Sequence, residues 1–156
     1  VELVNWGATA APLAANSYDF ILLSRVIHGW MRVEGLLDRH FANLAGSLKP
    51  GGVLAIEQHR ENPGPQDPMA ESGYVTEAFV IEAAERTGLR LAARSEINAN
   101  PKDTKDHPFG VWTLPPTRIT VPYGSGKAPD PNFDRSKYDA IGESDRMTLR
   151  FVKATP

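Results

Sequence analysis

The residues best equipped for chemistry fall in two short stretches. Glu57-Gln58-His59-Arg60 sets a carboxylate, an amide, an imidazole and a guanidinium side by side. An imidazole, with a reference pKa of about 6.5, can exchange a proton near neutral pH. A guanidinium offers a planar fork that clamps a carboxylate or phosphate through two hydrogen bonds. The second stretch, Ser24-Arg25-Val26 with His28 and Trp30, adds a hydroxyl, a cation, a second imidazole and an indole. Each has a plainer reading: a polar strand end is often just solvated, Ser24 can satisfy a turn, and Trp30 can pack. Asp103, Asp106 and His107 also carry ligand-type side chains, but they sit in a proline-rich stretch without a second ligand pair at helical spacing. No metal site is therefore expected. The absence of cysteine excludes disulfides, thiolate nucleophiles and cysteine-ligated zinc.

The elements that would position these groups read as alternating strands and helices. Val1–Val4 is a short strand candidate. Tyr18–Ser24 is a near-continuous apolar run, the pattern of a strand covered on both faces. Val33, Leu36, Leu37, Phe41, Leu44 and Leu48 recur at helical spacing, and Lys49-Pro50-Gly51-Gly52 stops that helix. Val53–Glu57 is the next buried strand, and 61–72 is a loop rich in proline and glycine. A helix capped by Ser72 or Thr76 runs to about Thr87, and Leu89–Ile97 is a strand. Met147–Lys153 alternates in polarity, as an antiparallel or half-exposed strand does. This order predicts an open α/β sheet. In such sheets ligands sit beyond the carboxyl ends of the strands. Ser24, Arg25, Val26, His28 and Glu57–Arg60 are thus expected around one crevice. The long segment 98–145 lacks periodicity and reads as a lid or acceptor loop, with Phe109, Trp112 and Tyr123 as its apolar underside.

Three segments together resemble the second half of the class I S-adenosylmethionine-dependent methyltransferases. Ala10-Ala11-Pro12-Leu13 leading to Ser17-Tyr18-Asp19-Phe20 is similar to that family's connector into its fourth strand. Leu48-Lys49-Pro50-Gly51-Gly52 resembles its turn into the fifth, and the final two strands resemble its antiparallel closing pair. Ser24-Arg25-Val26-Ile27-His28-Gly29-Trp30, Glu57-Gln58-His59-Arg60 and Asn98–Asp103 further resemble signatures of a bacterial small-molecule methyltransferase group. The resemblance implies a partial Rossmann-like α/β sheet, strands three to seven of the family order, with the last strand antiparallel. It implies S-adenosylmethionine as cofactor, contacted by Gly7, Ala8, Ser24, Arg25 and Val26. His28, Trp30 and Glu57 would then face a small-molecule acceptor, with His59 and Arg60 as the catalytic pair. Two departures stand out. Gly7 occupies the place of the usual acidic residue, and Gly29 that of an aspartate.

The family's glycine-rich loop does not occur, and the chain opens on Val1. The expectation is therefore a single truncated domain over 1–156 with a loop-rich insertion at 98–145, inactive alone. A nicotinamide-dependent oxidoreductase or a non-catalytic Rossmann-like binding module are the alternatives, although the glycine turn and ribose-binding acid of the former are not visible. A formal net charge of −2 gives no reason to expect nucleic acid or an anionic membrane. No apolar run approaches the roughly 18 residues of a membrane span, and no signal peptide opens the chain. The compartment stays open, cytoplasmic by default.

Overall fold

Tyr18–Ser24 forms β1 of a sheet in a computed structural model that describes residues 6–7, 9 and 11–155. The Val1–Val4 strand candidate lies outside the described residues. After β1 come a short helix α1 (Ile27–Trp30), helix α2 (Leu36–Ser47) and the long strand β2 (Leu48–Glu61). Strand β3 (Val75–Thr76), helix α3 (Glu77–Glu85) and strand β4 (Leu89–Ser95) follow. A 3₁₀ turn (Gly110–Thr113), helix α4 (Ser136–Ile141) and strand β5 (Arg146–Lys153) complete the order. The sheet runs β1-β2-β5-β4, with β3 attached to the end of β2. β1 and β2 are parallel, and β5 is antiparallel to both of its neighbours.

Lys49–Gly52 does not sit in a helix; it begins β2. Pairing with β1 jumps from Tyr18↔Leu48 to Phe20↔Val53, so these four residues loop out against a single residue of β1. Gly52 permits the excursion, because a Cβ there would lie 2.8 Å from the Lys49 carbonyl oxygen and 3.1 Å from that of Tyr18. Helix α2 starts at Leu36 rather than Val33, since Gly35 at φ 65° takes a left-handed conformation outside the helix. Thr76 caps α3 by accepting a hydrogen bond from the Phe79 N–H.

The core lies between helices α2 and α3 and one face of the sheet. Phe41 and Leu44 of α2 and Val80 and Ala84 of α3 meet Leu54, Ile56, Leu149 and Phe151 of the sheet, all buried. Each large apolar side chain buried this way stabilises the fold by about 1.5–3 kcal/mol. The other face corrects an expectation. Phe20 and Leu22 are 58% and 63% exposed, so among the described residues β1 is covered on one face only. The apolar composition of β1 is thus only half used among the described residues.

The segment 98–145 is more ordered than its composition suggests. The Val111 N–H donates to the Ser72 carbonyl at 2.8 Å, docking the 3₁₀ turn on the 67–73 loop. The amide nitrogen of Asn100 donates to the carbonyls of Ile141 and Glu143, and Arg135 donates to that of Thr113. These contacts hold Trp112 and Ser144 against the end of the sheet. No helix among the described residues is long and apolar enough to cross a membrane.

Candidate functional site

Because β1 and β2 are parallel, Ser24 and Glu57 are register partners at their carboxyl ends. Strand alternation then puts Glu57 and His59 on the face away from α2 and α3, and Gln58 and Arg60 on the other. Arg146 on antiparallel β5 is the register partner of His59, so the sheet itself brings that cation to the same place. Chain segments around Trp112 and Ser144 close the top. The result is a cavity of about 340 Å³ lined by Ser24, Arg25, His28, His59, Trp112 and Arg146, among others.

Arg25 is the chain reversal out of β1. It adopts φ 51°, a left-handed conformation uncommon for a residue with a side chain, and its N–H donates to the Glu57 carbonyl. Strained backbone of this kind clusters at ligand sites. The Ser24 hydroxyl donates to the Glu57 carboxylate, whose other oxygen lies 3.1 Å from Arg146 Nε. That N–H does not point along the line between them, and neither Glu57 Oε1 nor Arg146 Nε has a hydrogen-bond partner although both are buried. The two atoms form a buried ion pair at the strand ends that lacks hydrogen-bond geometry and so keeps capacity for a polar ligand group.

The two imidazoles are held by different partners. Buried Gln58 accepts from the Ile27 N–H and donates through its amide nitrogen to His28 Nδ1 at 3.2 Å. Neutral His28 therefore carries its proton on Nε2. His59 Nδ1 meets the Ser144 hydroxyl at 2.6 Å. Burial, followed by His28, Arg25 and Arg146, pushes the His59 pKa down to about 3. His28 is also lowered, by burial and by Arg32, against an opposing hydrogen bond from Gln58. The two rings, 5.7 Å apart, are thus both neutral at physiological pH.

This has a measurable consequence. The folded state keeps His59 unprotonated while the unfolded chain binds a proton below about pH 6.5. His59's contribution is fully present above that pH and is lost as pH falls toward 3. Chemical denaturation is expected to show stability falling by up to about 1.4 kcal/mol per pH unit in that window. His59→Gln should flatten the slope, and an unchanged slope would place His59 in solvent.

The structure redistributes several expected roles. Ser24, Arg25, His28 and His59 share the cavity, and Glu57 braces it from below. Arg60 is a correction. Its guanidinium donates to both oxygens of Asp145 and both of Glu96 at 2.8–3.0 Å, which leaves no fork for a substrate. Trp30 is another correction: it packs against Trp6, His40 and Phe41, while the indole beside His28 is that of Trp112, 5.8 Å away. Val26 packs on the core rather than into the cavity. Gly7 is exposed and is not among the cavity's lining residues, and Ala8 lies outside the described residues. Gln58 lies within the expected Glu57–Arg60 stretch but acts from the core side, through His28; Ser144 and Arg146 were not singled out. Only the register of β5 against β2 could have revealed Arg146. Asp103 and His107 form a buried pair at 2.7 Å, and Asp103 also accepts from the Tyr74 hydroxyl and the Asp145 N–H. Their ligand-like spacing thus serves an internal network.

No protein-family model matches this chain, and no curated protein does. Solved structures do. A TehB-like S-adenosylmethionine-dependent methyltransferase from Corynebacterium glutamicum matches with a TM-score of 0.51 and 17% identity, over 96% of this chain and 55% of its own. A further such methyltransferase from Methanosarcina mazei gives 0.53 and 11%, over 97% and 66%. The [4+2]-cyclase SpnF gives 0.54 and 12%, over 97% and 55%. The chain spans between about half and two thirds of the length of these structures. At this identity the likeness shows the fold, which is that of the class I S-adenosylmethionine-dependent methyltransferases.

Proposed function

We propose that these residues are the acceptor-side part of a class I methyltransferase that transfers a methyl group from S-adenosylmethionine to a small molecule. The observation that carries this reading is the cavity at the carboxyl ends of β1 and β2, where open α/β sheets take their ligands. Ser24 and the strained Arg25 line it, and the buried Glu57–Arg146 ion pair stands beside it. These groups fit the polar, charged end of such a cofactor. When bound, the cofactor supplies an electrophilic methyl on a sulfonium.

The work left to the chain is positioning, because methyl transfer is an in-line displacement. Ser24 and Arg25 would hold the donor side, Glu57 keeping both in place. His28 and His59 would flank the acceptor. With a pKa near 3, His59 cannot keep a proton at neutral pH. It acts as a neutral hydrogen-bond partner that aims the acceptor atom, its ring set by Ser144. The acceptor's proton leaves to water or to a second base. The uncovered face of β1, with Phe20 and Leu22, suits coverage by the part of the methyltransferase fold that carries the glycine-rich loop. On this reading the 156 residues alone are inactive.

A cyclase with this fold shows that architecture does not determine the reaction, so the test must read methyl transfer itself. In the full-length protein, His59→Ala is expected to lower turnover about tenfold, the size of one lost hydrogen bond to the reacting complex. Cofactor affinity should hold within a factor of two. A variant as active as the parent would remove His59 from the site and favour a non-catalytic binding role.

A further inference from the structure

A second, larger cavity of about 720 Å³ lies on the far side of Trp112, between the 67–72 loop and the 107–123 segment. Its wall is aromatic. Trp112 stacks on Tyr123 with ring centroids 5.5 Å apart and planes 24° from parallel. Phe109 and Met69 also line it. Tyr123 and Met69 are 68% and 44% exposed, so this wall leaves large apolar side chains in water. Exposed apolar surface concentrated around a concavity marks a binding site rather than a packing remainder.

The charged part of the lining holds two carboxylates, of Asp67 and Glu71, and one guanidinium, of Arg32. Both oxygens of Asp67 already accept backbone N–H groups, from Met69 and Glu71. The guanidinium is engaged as well: it donates to the carbonyls of Met69, Ala70 and Glu71 and lies over the Trp112 ring, 5.1 Å from its centroid. It stiffens the wall and is not presented to a ligand. What the cavity offers is a rigid aromatic face with hydrogen-bond acceptors and negative charge at its rim. Cations are attracted to such faces, more so beside a carboxylate.

We propose that this cavity binds an aromatic amine, its ring against the Trp112–Tyr123 stack and its ammonium group toward the Glu71 carboxylate. Trp112 also walls the first cavity. If the methyl-transfer reading holds, this ligand is the acceptor or the part of it that confers specificity. The binding itself needs neither the cofactor nor turnover.

Isothermal titration of the chain with 2-naphthylmethylamine and with 2-naphthoate compares one ring under opposite charges. The amine is expected to bind saturably, and the carboxylate at least tenfold more weakly. Tyr123→Ala, at an exposed position where the fold does not depend on the ring, should weaken the amine at least fivefold. Glu71→Gln should weaken the amine and not the carboxylate. Equal or tighter binding of naphthoate, binding of neither probe, or amine binding untouched by both substitutions would overturn the assignment. Intact amine binding in a full-length protein that fails to transfer methyl would instead overturn the activity and leave this site standing.

Discussion

Asp145→Ala is expected to destabilise the fold by about 3–5 kcal/mol, the usual loss when one partner of a buried ion pair is removed. Asp145 is 5% exposed. Its carboxylate accepts two hydrogen bonds from Arg60 and one from the Asn100 N–H, and it pairs with Lys105 at 3.0 Å. Burial alone would raise its pKa, but Arg60, the Asn100 N–H and Lys105 outweigh that and hold it at about 2. Alanine leaves two cations in a half-buried place with less to balance them. The effect reaches the candidate site, because Ser144 and Arg146 flank residue 145 and both line the first cavity. Urea denaturation at pH 7 measures the loss. A change below 1 kcal/mol would mean that water screens the network. The same contribution should fade in acid, present above about pH 3.8 and lost as pH falls through 2.

Gly110→Ala is expected to have the second largest effect, with a cost of about 2–5 kcal/mol. The residue adopts φ 58°, which costs a side-chain-bearing residue about 1–2 kcal/mol. Its Cβ would stand 2.3 Å from the Ser72 carbonyl oxygen and 2.8 Å from the carbon, and overpacking of this kind adds about 1–3 kcal/mol. The obstacle is backbone, so relief requires moving the 3₁₀ turn off the 67–73 loop. That breaks the Val111–Ser72 hydrogen bond and shifts Trp112, the wall between the two cavities. Amide hydrogen exchange at Val111 should accelerate at least tenfold, and naphthylmethylamine binding should weaken in parallel. Unchanged exchange would show that the loop yields without cost.

How much of this was legible beforehand depends on the range of the interaction. The strand order β1-β2-β5-β4 and the antiparallel last strand could be read through the resemblance, since Lys49–Gly52 and the alternation of Met147–Lys153 are local patterns. Ser24, Arg25, His28 and His59 could be gathered because open sheets bring strand ends together. Arg60 was misread because its carboxylates, Glu96 and Asp145, lie 36 and 85 residues away, and no local pattern announces such partners. Trp30 was misread for a related reason: it packs in the core, and the indole beside His28 is that of Trp112, expected only as part of a lid's apolar underside. The 110–123 segment has no period of its own, and its place is set by the close approach of Gly110 to Ser72 rather than by propensity. The exposure of Phe20 and Leu22 lay beyond reach too, because an apolar run states that it can be buried, not what buries it.

The central claim is that Ser24 and Arg25 hold the donor side of a methyl-transfer site that needs the glycine-rich half of the fold. Calorimetric titration of S-adenosylmethionine tests it most directly, performed on these 156 residues and on a longer protein in which a half carrying a glycine-rich loop precedes them. The longer protein is expected to bind one equivalent saturably, and Arg25→Ala to weaken binding about tenfold, which is about 1.4 kcal/mol. The 156 residues alone should bind at least tenfold more weakly than the longer protein. No saturable binding by the longer protein, undiminished binding in Arg25→Ala, or equally tight binding by the 156 residues alone would contradict the account.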